Sequence, residues 1–223
     1  VEVNKNHIST LGTAIDLRAS GNCTVSDAEI TSNQITGTIN VLAQSANSQS
    51  AYLENVTISN NTVNGTTNVE ALAQDGSATV KNVIVSSNVI SFADKGINIA
   101  ASTLNTSGCA TVQNLTITGN EMTGSSVGID TFKQGIGSAE LMNFAIAGNT
   151  LAINDPTATA YAVGLADVKG YSEFKNNIVT LSGTLVSGGY DGVYISGGAT
   201  EDWTISDNEL FGNSVGTTSS GFR

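Results

Sequence analysis

One phrase constrains this chain more than any other: Asn55–Gly65, NVTISNNTVNG, returns along the sequence at near-constant intervals. Keyed on one asparagine, its copies fall at Asn33, Asn61, Asn88, Asn120, Asn149, Asn177 and Asn208, separated by 28, 27, 32, 29, 28 and 31 residues. Three residues before the key stand Ile30, Ile58, Val85, Ile117, Ile146, Phe174 and Ile205. Five before it stand Ala28, Val56, Val83, Leu115, Phe144, Ser172 and Trp203, and two after it Ile35, Val63, Ile90, Met122, Leu151, Val179 and Leu210. Only Ser172 interrupts these apolar columns. A period of this length is the mark of a stacked repeat, in which each unit buries its apolar face only against its neighbours.

Apolar positions two residues apart follow strand alternation, not helical spacing. A repeat of about 28 residues accommodates three short strands and three turns, and strands recurring in one direction stack in parallel. Because parallel crossovers are right-handed in nearly all cases, the expected fold is all-β, a single right-handed parallel β-helix of about 7–8 coils with asparagine-rich turns. At about 4.8 Å per coil the rod is on the order of 35–40 Å long. The key asparagines are expected to form a hydrogen-bonded ladder and to supply the left-handed backbone of a sharp turn. A second polar column, six before the key, runs Asp27, Asn55, Asn82, Asn114, Asn143, Tyr171 and Asp202, and reads as another corner of the same strand.

The chain resembles the pectate-lyase-like superfamily of parallel β-helices, which includes autotransporter passengers and phage tailspikes. The likeness lies in the pattern of nearly the whole chain. Phe174-Lys175-Asn176-Asn177 matches the FxxN half of the repeat of chlamydial polymorphic membrane proteins, and Gly197-Gly198-Ala199 its GGA half, once each. The resemblance implies either a surface or adhesive role, or polysaccharide chemistry. In the latter, lyases use a basic residue beside calcium held by carboxylates, and hydrolases pair two aspartates.

The whole span 1–223 reads as one β-helix domain. Residues 1–27 form an irregular N-terminal coil, 28–212 the regular coils, and 213–223 a tail or incomplete coil. Second strands of the regular coils are expected at Val41-Leu42-Ala43, Val69-Glu70-Ala71 and Ile97-Asn98-Ile99. They are continued by an alignment of Gly96-Ile97, Gly128-Ile129, Gly164-Leu165 and Gly192-Val193. Asp155-Pro156 marks a longer turn, and Gly188-Gly189 and Gly197-Gly198 flank Asp191–Tyr194.

Net charge of −11 and a pI near 4.2 disfavour nucleic acid, which needs a basic stripe, and also anionic membranes and polyanionic substrates not bridged by a cation. No apolar run reaches the 18 residues of a membrane span. With 39% apolar and only 12% charged residues, the composition fits a solenoid clad in uncharged polar side chains rather than a disordered chain. Sequons at Asn22, Asn55, Asn60, Asn64, Asn105 and Asn114 are as many as the composition yields by chance. Cys23 and Cys109 lie three coils apart, about 14 Å by strand spacing and beyond disulfide reach. Both are expected as free thiols, with Cys23 buried in the column of Ala51, Ala78, Ala110 and Ala139.

No catalytic, cofactor or metal motif is present. The one place where ionisable groups of successive coils converge is a ligand face of Asp130, Lys133, Asp167, Lys169, Asp191 and Tyr194, most simply read as solvated surface charge. Tyr190 and Tyr194 are candidate aromatic platforms for a glycan. A Thr-x-Thr array of the ice-binding kind begins at Thr57, Thr116 and Thr204 but is interrupted by Ala145, Ala147, Glu173 and Lys175. The expectation is therefore a structural or adhesive β-helix, extracellular or at the cell surface. Its ends would associate with flanking coils or with another copy into a fibre. Binding or cleavage of polysaccharide is the alternative.

Overall fold

A computed structural model describes residues 1–154, 161–182, 191–196 and 201–212, without the side chains of Asp191 and Glu201. The turn at Asp155-Pro156, the Gly188-Gly189 and Gly197-Gly198 pairs, Ala199, Tyr190 and the 213–223 tail lie outside the described residues.

Every described strand pairing is parallel, and the strands wind into a β-helix with three faces. The first face is an eight-stranded sheet of Glu2–Asn4, Thr24–Thr31, Gln49–Ser59, Gly76–Ser86, Gly108–Thr118, Ser138–Ala147, Val168–Lys175 and Glu201–Ser206. The second holds the short strands after each key, among them Thr62–Asn64, Val89–Phe92 and Glu121–Gly124. The third holds Thr67–Ala73, Lys95–Thr103, Val127–Gly135, Tyr161–Ala166 and Asp191–Ser196. In the first two coils His7–Ser20 and Gln34–Ser45 run through the second and third faces unbroken, so those faces merge into one sheet.

The apolar columns stack inward as the repeat demands. Val56, Ile58, Val85, Ile117, Ile146, Leu151 and Phe174 are fully buried. Each such side chain contributes roughly 1.5–3 kcal/mol of burial free energy.

The key asparagines are buried between these columns and form a continuous ladder. Nδ2 of Asn61 donates to Oδ1 of Asn88 at 3.0 Å and to the carbonyl of Ile30 at 2.8 Å, while its backbone N–H donates to the same Asn88 Oδ1 at 2.9 Å. The pattern recurs at Asn88, Asn120, Asn149 and Asn177. Each interior amide thus donates twice and accepts twice, which removes the cost of burying it. The ladder also has a rung ahead of Asn33: Asn6, whose N–H and Nδ2 donate to Asn33 Oδ1 at 2.9 and 3.1 Å.

The expectation that the keys themselves take the left-handed backbone is corrected. That conformation falls one residue earlier, at Lys5, Ser32, Asn60, Ser87, Gly119, Gly148, Asn176 and Asp207, with φ between 53° and 64°. The turn has to occur before the key so that the key's side chain points into the interior. Asparagine is selected at the key for its amide, not for its φ.

The second polar column is a true corner. Asp27, Asn55, Asn82, Asn114 and Asn143 have φ of 53–57°, and each asparagine's Nδ2 donates to the side-chain oxygen of the rung before it at 3.0–3.1 Å. Tyr171 does not belong to it. Register slips between Met142 and Ala145, which places Gly170 (φ 76°) at the corner and pushes Tyr171 into solvent. The extra residue withdraws a backbone partner from Phe144, and Ser172 Oγ accepts that N–H instead at 3.1 Å. Ser172 is therefore a fitted part of the core: small between Phe144 and Trp203, and compensating a bulge.

Cys23 and Cys109 are both free, but the expected burial of Cys23 is corrected, for both are exposed. Cys23 does fall in line with Ala51, since Thr24 pairs with Tyr52. The first strand, Glu2–Asn4, pairs only with Glu29–Thr31, so no described residue stacks on the N-terminal side of Cys23. The first coil is also interrupted by register shifts between Ser9 and Ile15, where Leu11 projects fully into solvent.

Candidate functional site

The third face carries an outward polar column that continues from coil to coil: Asp16, Asn40, Asn68, Asn98, Asp130, Gly164 and Tyr194 are aligned in register. After Asp16 it continues as an amide stack, with Asn68 Nδ2 donating to Asn40 Oδ1 at 2.9 Å. At Asp130 it becomes a charged and aromatic cluster. Lys95 Nζ lies 2.6 Å from Asp130 Oδ2 and donates to Asn98 Oδ1 at 3.0 Å. The Tyr161 hydroxyl donates to Asp130 Oδ1 at 3.2 Å, and the Tyr161 ring stacks on Tyr194 with centroids 5.6 Å apart and planes 13° apart.

Gly164 makes this arrangement possible. A Cβ there would come within 2.2 Å of the Tyr161 ring, so the bare backbone between Asp130 and Tyr194 is the bed on which the ring lies. Covered by the ring and by the lysine stem, Asp130 is only 6% exposed. Reading it as solvated surface charge is therefore corrected: it is a buried acceptor with both oxygens engaged. Burial, the Asp130 charge and the bond to it push the Tyr161 hydroxyl up to about 12.

The other residues of the anticipated face separate. Tyr194 joins the Asp130 cluster through Tyr161. Lys133 and Asp167 form a pair of their own at 3.9 Å. Lys169 lies on the first face, 3.1 Å from Glu140. The backbone of Asp191 pairs with Tyr161, with its side chain outside the description. Lys133 stands in the inward column of Ala19, Ala43, Ala71 and Ala101. The next coil turns early at Asp167, which opens a way for its amine out of the wall. The anticipated alignment at Gly164-Leu165 is corrected as well: Val163 pairs with Ile129 and Val193, so Gly164 faces Asp130 and Tyr194.

Sequence reasoning passed over Lys95, Tyr161 and Phe132. Lys95 also sits over the Phe132 ring, 5.3 Å from its centroid, a cation–π contact. The available clue was the outward Asn40, Asn68, Asn98 column two residues before Leu42, Glu70 and Ala100, which leads in register to Asp130 and Phe132. Among the described residues, no group of three or more His, Cys, Asp or Glu is placed to hold a metal ion. Among the same described residues, no helix is long and apolar enough to cross a membrane.

No family model matches this chain, and no curated protein or solved structure matches it either. What the site can do thus rests on its own geometry. Both oxygens of Asp130 are committed to Lys95 and Tyr161, which suits a rigid, pre-organised surface better than a proton acceptor open to a substrate.

Proposed function

We propose that this chain is the shaft of a structural or adhesive assembly, extracellular or at the cell surface, in which β-helical coils continue from one unit into the next. The observation that carries the reading is the buried asparagine ladder. It has a direction: each rung accepts through Oδ1 from the rung before and passes its own N–H to the rung after. Any coil bearing an asparagine in register extends it, whether from a second copy or from flanking coils. A heterologous contact of this kind propagates into a filament. The corners Asn55, Asn82, Asn114 and Asn143 stack amide on amide without like-charge contacts, which suits a rod built by lengthwise stacking of coils.

Negative-stain microscopy over a concentration series, with light scattering alongside, tests the reading. Fibres of uniform width with an axial repeat near one rod length are the expected result. Discrete rods of about 40 Å at every concentration would overturn assembly through the ends. Globular, non-elongated particles would overturn the shaft itself.

The Tyr161–Tyr194 stack over buried Asp130 favours one second reading, a polysaccharide-binding or polysaccharide-cleaving face. Saturable glycan binding abolished by Tyr194→Ala would support binding, and calcium-dependent release of unsaturated sugars would support a lyase.

A further inference from the structure

Next to the Asp130 cluster, on the same outer face, an open cavity of about 360 Å³ runs along the rod axis across three coils. Two registered rows line it: Glu70 and Phe132, in line with the fully buried Ala100 between them, and Leu72, Ser102 and Gln134. Because Ala100 is small, Glu70 and Phe132 face each other across one intervening coil, about 9–10 Å apart by strand spacing. The outer wall is apolar and unusually bare: Leu104 is 57% and Ile136 69% exposed.

The Glu70 carboxylate is half-buried against this wall, and desolvation raises its pKa above the ordinary value. No ion pair reaches it among the described residues. Arg18, the cation whose charge acts on it, is held 3.0 Å from Asp16 and donates to Gln44 at 3.4 Å. Phe132 at the opposite end already receives one ammonium, that of Lys95, on its ring. The cavity therefore pairs a desolvated, unpaired anion with an apolar trough and an aromatic ring. Its shape and charge complement a flexible apolar stem ending in a cation. The net charge of −11 adds long-range attraction for such a group.

We propose that this cavity is a docking site for a lysine or arginine side chain presented by an extended basic segment of a partner protein. The aliphatic stem lies against Leu72, Leu104 and Ile136, and the cationic head pairs with Glu70.

The test is a methyl-detected NMR titration of the full chain with the peptide acetyl-Gly-Lys-Gly-amide, and with the same peptide carrying Nε-acetyl-lysine. The lysine peptide should shift the methyl signals of Leu72, Leu104 and Ile136 saturably. Acetylation, which removes the charge and keeps the stem, should weaken binding about tenfold or more. Glu70→Gln should weaken the lysine peptide to a similar degree, and Ile136→Ser should weaken both peptides. Circular dichroism of both variants checks that the β-helix is intact. Shifts that do not saturate, or that spread over the acidic surface, overturn the proposal, as does a Glu70→Gln variant that binds as the parent does. A fibre-forming chain that fails this titration would lose the cavity site alone. A discrete rod that passes would keep it.

Discussion

Two asparagine ladders run along this molecule, a buried one from Asn6 to Asn208 and a corner one from Asp27 to Asn143, and they use the same residue for opposite reasons. In the buried ladder, Asn88 is 1% exposed and its amide makes four hydrogen bonds, to Asn61, to Asn120 and to the Ile58 carbonyl. Its backbone is ordinary, and the left-handed turn is delegated to Ser87. In the corner ladder, Asn82 is exposed and has φ of 55°, and its side chain makes only the single bonds to Asn55 and Asn114. The first position needs an amide, because only an amide donates and accepts on the same short stem in both directions along the rod. The second needs a residue that tolerates the left-handed region, and its amide bonds compete with water. Identity in sequence thus conceals a difference in what is selected.

The largest effect expected from this contrast comes at the centre of the buried ladder. Asn120→Ala takes the acceptor from the backbone N–H and from one Nδ2 hydrogen of Asn88, and the amide donor from the carbonyl of Val85, in a dry interior. At about 1–3 kcal/mol per stranded group, the loss should reach about 3–5 kcal/mol in urea unfolding. A loss below about 1 kcal/mol would mean that water or a neighbour replaces the rung, and the distinction between the ladders would fail.

Ser172→Ala comes next, because it leaves the Phe144 N–H without its acceptor at the bulge. A loss of about 1–3 kcal/mol is expected, with Ser172→Thr losing less if the hydroxyl is what matters. If Ala and Thr were equal, the bulge would not depend on that bond.

Tyr161→Phe sharpens the contrast on the third face, where a polar column is buried by an aromatic ring and not by the core. Removing the bond to Asp130 should cost about 1 kcal/mol at neutral pH. The variant should also remove a pH dependence. The folded hydroxyl titrates at about 12, above the value near 10 of an unfolded tyrosine. Between these values the folded protein holds a proton that the unfolded chain releases, so parental stability falls as pH rises through that window. The stability difference between parent and variant should therefore shrink from about pH 10 upward, and a pH-independent difference would count against the bond.

The smallest effects belong to the corner ladder. Asn82→Gly should change stability by about 0.5 kcal/mol or less, whereas Asn82→Ala should cost about 1 kcal/mol through its left-handed backbone. Equal losses for Gly and Ala would place the stabilisation in the exposed amide stack instead.

Much of this architecture is legible in the sequence alone. Ile30, Ile58, Val85 and Ile117 recur at one phase, two residues from a second apolar column, and a stacked parallel coil is the economical way to bury both. The rung at Asn6 was equally readable, since Val1, Val3 and Ile8 stand at the template's spacings around it. It was hidden because the register slip between Ser9 and Ile15 makes the first coil look patternless. The candidate site was far less legible. Asp130, Lys133, Asp167 and Lys169 are close in sequence phase, yet a single early turn at Asp167 sends Lys169 to another face. Gly164 lies in line with Asp130, where the Gly164-Leu165 alignment would have put Ala166.

The sequence by itself determined the repeat, the parallel β-helix and the chain of key asparagines. Each of these follows from a local periodicity that every coil restates, so one misread coil does not change the answer. Only the tertiary structure decided which asparagine turns and which one bonds, and that Cys23 is bare. The same holds for Ser172, which repairs a bulge, and for the tyrosine that covers Asp130. These depend on what lies one coil above or below, and a residue's neighbour along the rod is some 28 positions away in the chain. A single inserted or missing residue in between resets that neighbour. Local pattern therefore carries the architecture, and the register between coils carries the chemistry.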